Sequence, residues 1–246
     1  MTLDCLPSGT VHLYLADTAA LPTADRIRRY LAQLQPDELE RYGRIRFEAD
    51  RYEYLVTRAL SRAVLSRYVA RTPESWHFAR TEQGRPYLAE AESDPDVRWI
   101  SFNLSNTRGL VACAIARDRA LGVDVERTSR QHDPLLLADR VLSAPELADL
   151  RSCSTEQRPQ RFFDYWTLKE AYLKARGKGL LLPLDAISIL LPLFSPIRLQ
   201  LAAPIVDDAG GWQLELWSPT LEHRLALCVW CGAEPPLRVE IRWLDP

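Results

Sequence analysis

The apolar residues of this chain pass from helical to strand spacing twice, and that repeated passage restricts the fold more than any compositional average does. Helical spacing over residues 25–34, from a new start at Pro36-Asp37-Glu38, and over 50–68 gives way to strand-like runs at 99–104 and 110–116. The order then repeats. Helical stretches at 135–142, 144–150 and 160–176 precede strand-like runs at 186–191, 197–202, 212–217, 224–230 and 238–243. Short strands are also expected at 11–16 and 121–126. A chain that runs helices then strands twice is expected to build two α+β lobes, here over 1–117 and 118–246, joined near 117–120. No stretch rich in Pro, Gly or Ser separates them into independent beads.

Local punctuation agrees. Carboxylates at Asp37 and Glu38 suit a first helical turn, and Gly177 suits a left-handed cap after the helix ending at Arg176. Gly84-Arg85-Pro86 reads as a turn with Arg80 just upstream, and 105–109 as a polar turn between two strands. On the helix over 50–68, Tyr52, Val56, Ala59, Leu60 and Ala63 form the apolar face. Arg51, Arg58 and Arg62 line a second stripe, which reads as a solvated basic face.

Composition excludes several classes. With 246 residues, 47% apolar and 26% charged, the chain has ample material for a packed core. A net charge of −2 gives no field that favours nucleic acid or a membrane surface. The first ten residues lack the basic and apolar pattern of a signal peptide, and the run 110–116 is too short to span a bilayer. Five cysteines, an odd number, argue against a disulfide framework. A cytoplasmic protein is the expectation. One detail is sharper. Of the 31 basic residues all but Lys169, Lys174 and Lys178 are Arg, and those three fall within ten positions. An ammonium is a compact point charge, unlike the planar guanidinium fork, so this window reads as one that requires lysine.

Two segments carry chemistry. In Gly122-Val123-Asp124-Val125-Glu126 the strand period of two puts both carboxylates on one face and both valines on the other. Paired carboxylates repel unless a cation lies between them, and a hard ion such as Mg²⁺ uses one or two of them beside water and phosphate oxygens. The alternative is an acidic strand facing water. In the helix over 160–176, Trp166, Glu170 and Lys174 follow each other at i,i+4 and share a face. If that face is half-buried, Glu170 can be a third ligand or a base and Lys174 a phosphate contact. Otherwise they form an ordinary surface pair. Arg176-Gly177-Lys178-Gly179-Leu180 frees the backbone to approach a ligand or simply ends the helix, and it lacks the spacing of a phosphate-binding P-loop. Cys228-Val229-Trp230-Cys231 has no second pair and reads as core. His12, His77, His132 and His223 lack ligand spacing.

Together these segments resemble the 4′-phosphopantetheinyl transferases of the larger, surfactin-synthetase type. Gly84-Arg85-Pro86 resembles the family's Gly-Lys-Pro turn, and Phe102-Asn103-Leu104-Ser105 its Phe-Asn-Ile-Ser strand end. Gly122-Val123-Asp124-Val125-Glu126 is similar to its Gly-Ile-Asp-Ile-Glu strand. The segment from Trp166 to Lys174 resembles its signature Trp-x-x-Lys-Glu-Ala/Ser-x-x-Lys. The resemblance implies a monomeric pseudo-dimer of two similar α+β lobes with coenzyme A and Mg²⁺ in the cleft between them. It implies transfer of the phosphopantetheine arm to a serine of an acyl or peptidyl carrier protein, with release of adenosine 3′,5′-bisphosphate. Carried onto matching positions, Asp124, Glu126 and Glu170 would hold the metal, and Lys174 would contact coenzyme phosphates. Glu170 and Lys174 would serve catalysis, and Arg41, Arg80, Arg85, Ser105 and Asn106 would hold the nucleotide end. Asn106 stands where the family has His, a neutral amide in place of a titratable ring, with Arg80, Arg85 and Arg108 as candidate replacements for its charge. The rival reading is a non-catalytic carrier-protein or coenzyme A-binding relative, which has no need of three converging carboxylates.

Overall fold

The structure, a computed structural model, describes residues 3–19, 22–91, 93–129, 134–177 and 182–246. The chain divides into two compact units. Unit 1 comprises Met1–Asp118 and Arg238–Pro246, and unit 2 comprises Arg119–Leu237.

Unit 1 opens with β1 (Thr10–Asp17) and three helices, α1 (Ala24–Leu31), α2 (Pro36–Arg44) and α3 (Glu48–Leu65). Pro36 sits in the first turn of α2, where its missing N–H costs nothing. The Gln35 N–H donates to Glu38 Oε2 at 3.1 Å, satisfying one orphan donor of that end. A small hairpin, β2 (Phe78–Arg80) and β3 (Pro86–Leu88), turns at Gly84, whose φ of 81° is one that side-chain-bearing residues rarely adopt. β4 (Ile100–Thr107) and β5 (Leu110–Arg117) complete the run. The main sheet has the order β11-β1-β5-β4, with α3 packed against β4 and β5. Its edge strand is β11 (Arg238–Trp243), which pairs parallel with β1.

Three expectations change here. The turn placed at 105–109 is much tighter: Thr107 pairs with Leu110, leaving Arg108 and Gly109 as a two-residue hairpin loop, so Ser105 and Asn106 lie in β4. The basic stripe of α3 is not a solvated face. Arg62 is fully buried against Glu38, and Arg58 is 8% exposed. Helix periodicity located that stripe, but α2 and the β2–β3 hairpin cover it, with Arg62 stacked on Phe78 at 4.9 Å. The last strand, read as part of the second lobe over 118–246, joins the sheet of unit 1.

Unit 2 begins at β6 (Leu121–Arg127). In place of the single helix expected over 135–142 there is a 3₁₀ turn, Pro134–Leu137, and a one-turn α4 (Ala138–Val141). α5 (Ala144–Ser152) and α6 (Arg158–Arg176) follow, the latter starting with Pro159 in its first turn. Gly177 caps it at φ 65° and returns its N–H to the Lys174 carbonyl at 3.1 Å. The strands are β7 (Ile187–Leu190), β8 (Arg198–Leu201), β9 (Trp212–Trp217) and β10 (His223–Trp230). β6, β10 and β9 form an antiparallel sheet in that order, covered by α6, while β7 and β8 form a separate hairpin. Each unit has its own apolar core. Cys228 and Cys231 are buried with free thiols.

Candidate active site

The site in unit 2 is made where β6 meets α6. Gly122 permits the approach. A Cβ there would overlap the Ala171 carbonyl oxygen and the Ala175 nitrogen of α6. The face of β6 that carries Gly122 therefore looks onto the helix, and Asp124 and Glu126 look the same way, two and four residues on. Val123 and Val125 are buried on the opposite face.

The two periods then mesh. Four helical residues rise about 6 Å and two strand residues about 6.7 Å, so an i,i+4 stripe on α6 keeps step with alternate residues of β6. Trp166 Nε1 donates to Glu126 Oε1 at 2.9 Å. Lys174 Nζ donates to Asp124 Oδ1 at 2.7 Å and to the Val123 carbonyl at 3.1 Å. Glu170 lies between these two along the stripe, facing both carboxylates. Burial pushes its carboxyl up to about 7, the charges of Asp124 and Glu126 push the same way, and Lys174 opposes them. Lys174 thus shares a face with three carboxylates, of which Glu170 is the one whose proton affinity burial raises most clearly. Further pins fix the helix. Arg224 on β10 donates to Asp164 at 2.7 Å, and Phe162 stacks on Trp166. Tyr172 donates to Asp207 at 2.7 Å, which also accepts from Trp212 at 2.8 Å.

The carboxylate oxygens of Asp124, Glu126 and Glu170 are hard donors, the chemistry that suits a hard divalent cation. Among the described residues no three or more carboxylate, imidazole or thiol side chains stand close enough together to hold a metal ion as they are placed. Asp124 is engaged by Lys174 instead. Lys178, Gly179 and Leu180, singled out after the helix, lie outside the described residues. A cavity of about 670 Å³ in unit 2 is bordered by β8, β9 and residues 231–236, and none of the site carboxylates lines it.

The remaining expected residues belong to unit 1. Arg41 on α2 and Arg58 on α3 both stack on Tyr54, at 6.0 and 5.3 Å from ring centroid to guanidinium carbon. Arg80 and Arg62 lie close enough to depress the Arg58 pKa, after burial, which depresses it most. Arg80 Nη1 donates to the Gly84 carbonyl at 3.1 Å. Arg85 is partly buried and donates to the Phe102 carbonyl at 3.4 Å. Ser105 is buried, whereas Asn106 is exposed and its side chain bonds to Glu53, which also accepts from the Gly109 N–H at 3.2 Å.

Sequence reasoning missed two residues here. Glu53 takes up the Asn106 amide, and no periodicity signals a helix-to-hairpin bond. Arg58 is a buried guanidinium whose Nε and Nη1 find no acceptor, with Glu38 3.8 Å away and already bonded to Arg62. The available signal was Gln35-Pro36-Asp37-Glu38, a helix start that turns Glu38 inward.

Comparison with known proteins adds a family likeness to this geometry. Residues 120–228 match the model of the 4′-phosphopantetheinyl transferase superfamily, and residues 20–117 match a 4′-phosphopantetheinyl transferase N-terminal model. The chain is 34% identical over 201 residues to the 4′-phosphopantetheinyl transferase HetI of Nostoc sp., covering 76% of this chain and 83% of that protein. It is 29% identical over 200 residues to the 4′-phosphopantetheinyl transferase Sfp of Bacillus subtilis, covering 81% and 84%. Among solved structures, a holo-(acyl-carrier-protein) synthase from Bacillus anthracis, in complex with CoA, aligns with a TM-score of 0.39 and 19% identity, over 46% of this chain and 96% of that one.

Proposed function

This chain belongs to the 4′-phosphopantetheinyl transferase family, and from that premise we propose how its residues divide the work. The enzyme transfers the 4′-phosphopantetheine arm of coenzyme A to a serine of an acyl or peptidyl carrier protein and releases adenosine 3′,5′-bisphosphate. The observation that carries the site assignment is the meshed stripe: Trp166, Glu170 and Lys174 on α6 against Glu126 and Asp124 on β6.

In this reading Asp124, Glu126 and Glu170 hold Mg²⁺, which when bound supplies positive charge to the phosphoryl oxygens. Attack by the serine oxygen forms one P–O bond at the phosphorus bearing the pantetheine arm. It breaks the bond from that phosphorus to the bridging oxygen of the diphosphate. Lys174, already fixed by Asp124 and the Val123 carbonyl, is placed to meet the charge that grows on the leaving phosphate. The serine proton goes to Glu170 or to a water that Glu170 orients, the carboxyl group that stands between Lys174 and Trp166 on this face of α6. Arg41, Arg80, Arg85 and Ser105 of unit 1 are the proposed contacts for the nucleotide end, now joined by Arg58. Asn106 contributes through Glu53 rather than as a direct replacement for a charged histidine. We place the enzyme in the cytoplasm as a monomer. Among the described residues no helix is long and apolar enough to cross a membrane.

The test is to mix the purified chain with several apo carrier proteins, coenzyme A and Mg²⁺, and weigh the carriers. Addition of one phosphopantetheine, abolished by chelation, is expected. Coenzyme binding with no mass added to any carrier would establish the non-catalytic alternative instead.

A further inference from the structure

Lys169 immediately precedes Glu170 but faces away from β6. Its side chain is 1% exposed, and its Nζ is 2.6 Å from Glu146 Oε2 and 2.8 Å from the carbonyls of both Val141 and Leu184. An ammonium has three donors, and each has an acceptor here. Glu146 is equally committed. Its Oε2 accepts from the Ser143 N–H at 2.7 Å and its Oε1 from the Ile189 N–H at 2.8 Å. Three bonds from Lys169 thus tie α6 to the last residue of α4, the N-terminal turn of α5 and the 3₁₀ turn at Leu184–Ala186, and two more at Glu146 extend the tie to Ser143 and β7.

Neighbouring residues on a helix are about 100° apart around its axis. A tie at Lys169 to several independent segments therefore sets the rotation of α6, and so the direction in which Glu170 projects. We propose that Lys169 is a positioning residue for the transfer reaction, the element that aims Glu170 at Asp124 and Glu126, with Glu146 as its anchor. The proposal rests on the reading of Glu170 given above.

A separate observation supports it. This chain uses Arg at nearly every basic position and reserves Lys for one short segment. At position 169 three acceptors converge on a single nitrogen, which a compact ammonium can satisfy and a planar fork cannot. The arginine preference is broken where the geometry demands it.

The alternative is a plain structural pin, and the experiment separates the two. Full-length wild type, Lys169→Met, Lys169→Arg and Glu146→Gln are compared in two measurements. One is the rise in Tm produced by Mg²⁺ without coenzyme A, titrated to find the concentration giving half the effect. The other is kcat and KM for coenzyme A, normalised to folded protein. Loss of a group that orients a metal ligand typically costs about 10–100-fold in metal affinity or activity. Lys169→Met is expected to raise the half-effective Mg²⁺ concentration tenfold or more and lower kcat similarly, with KM for coenzyme A changed less than twofold. Lys169→Arg and Glu146→Gln should fall between. A lower Tm with wild-type Mg²⁺ dependence and wild-type kcat would overturn the proposal and leave a structural pin. If Lys169→Met does not fold, the other two variants decide by the same criterion. If wild type itself shows neither a Mg²⁺ effect nor transfer, it is the site reading that fails.

Discussion

Lys174 Nζ and Asp124 Oδ1 lie 2.7 Å apart, so the ammonium pairs with a carboxylate proposed above as a metal ligand. Lys174→Ala should lower transfer at least tenfold by removing charge from the leaving group. It should also destabilise the cation-free protein by on the order of 1 kcal/mol, the worth of one charge-assisted bond to a half-buried group. Mg²⁺ should recover part of that loss, because Asp124 regains a positive neighbour. Thermal unfolding with and without Mg²⁺ checks this, and a deficit that Mg²⁺ leaves untouched would contradict it.

Glu170 gives a pH signature. Its carboxyl is pushed from 4.5 up to about 7 in the fold. Between those values the folded protein holds a proton that the unfolded chain has lost. Its contribution to stability is therefore complete below about 4.5 and is lost as pH rises through about 7. Glu170→Gln cannot ionise, so it should raise the Tm of the cation-free protein at pH 8 and change it little at pH 5. The gain is on the order of 1 kcal/mol once partial exposure is discounted. Wild type should gain from Mg²⁺ at pH 8 and the variant much less.

In unit 1 the sign reverses. His12 Nδ1 is 2.6 Å from the Tyr68 hydroxyl, and Nε2 faces Arg242 at 3.2 Å and Glu240 at 3.5 Å. Burial holds its pKa below the usual 6.5, and Arg242 adds to the depression while Glu240 and Asp4 oppose it. The unfolded chain takes up this proton first. The stability His12 contributes is complete above about 6.5 and declines as pH falls through the lower folded value. His12→Gln should cost on the order of 1 kcal/mol at pH 8 through its lost hydrogen bonds, and the difference from wild type should narrow toward pH 5. A difference independent of pH over that range would exclude His12 as the source.

Gly122→Ala tests the contact that makes the site. The added methyl has backbone on its far side, which cannot swing away as a flexible side chain would. A loss of about 3 kcal/mol or more is expected, visible in calorimetry as a lower-temperature transition. A stable variant with full activity would show that β6 and α6 are not held this closely.

Arg58→Met separates stability from binding. A buried guanidinium lacking acceptors on two nitrogens is expensive, and an apolar replacement of similar length should be neutral or stabilising by about 1 kcal/mol. If Arg58 faces the nucleotide end, the same change should weaken coenzyme A binding about tenfold, read by calorimetry. Stability and affinity lost together would point to a purely internal role.

How far the sequence revealed this site follows from which forces are periodic. β6 and the face of α6 were readable because Gly122-Val123-Asp124-Val125-Glu126 alternates and Trp166, Glu170 and Lys174 recur every fourth residue. Pro159 and Gly177 bound α6 by their own backbone chemistry. The fate of Arg58 and Arg62 was not readable, because a helical wheel shows which residues share a side but not what covers it. Nor did polar residues betray that β4 runs on through Ser105 and Asn106, since strand pairing with β5 outweighs local turn preference. Glu53 with Asn106 and Lys169 with Glu146 join residues far apart in the chain, where no local pattern speaks.

The return of β11 to the sheet beside β1 gives the polypeptide an unexpected genetic geometry. In chain order, unit 2 is a guest inserted between β5 and β11 of its host. A chain stopped after Leu237 would spare Asp124, Glu126, Glu170 and Lys174 yet strip an edge strand from the other unit, so the lesion should show as a loss of stability in unit 1. A minimal version of unit 1 likewise calls for splicing Asp118 to Arg238 through a short linker, whereas truncation at Asp118 leaves β1 with a bare edge.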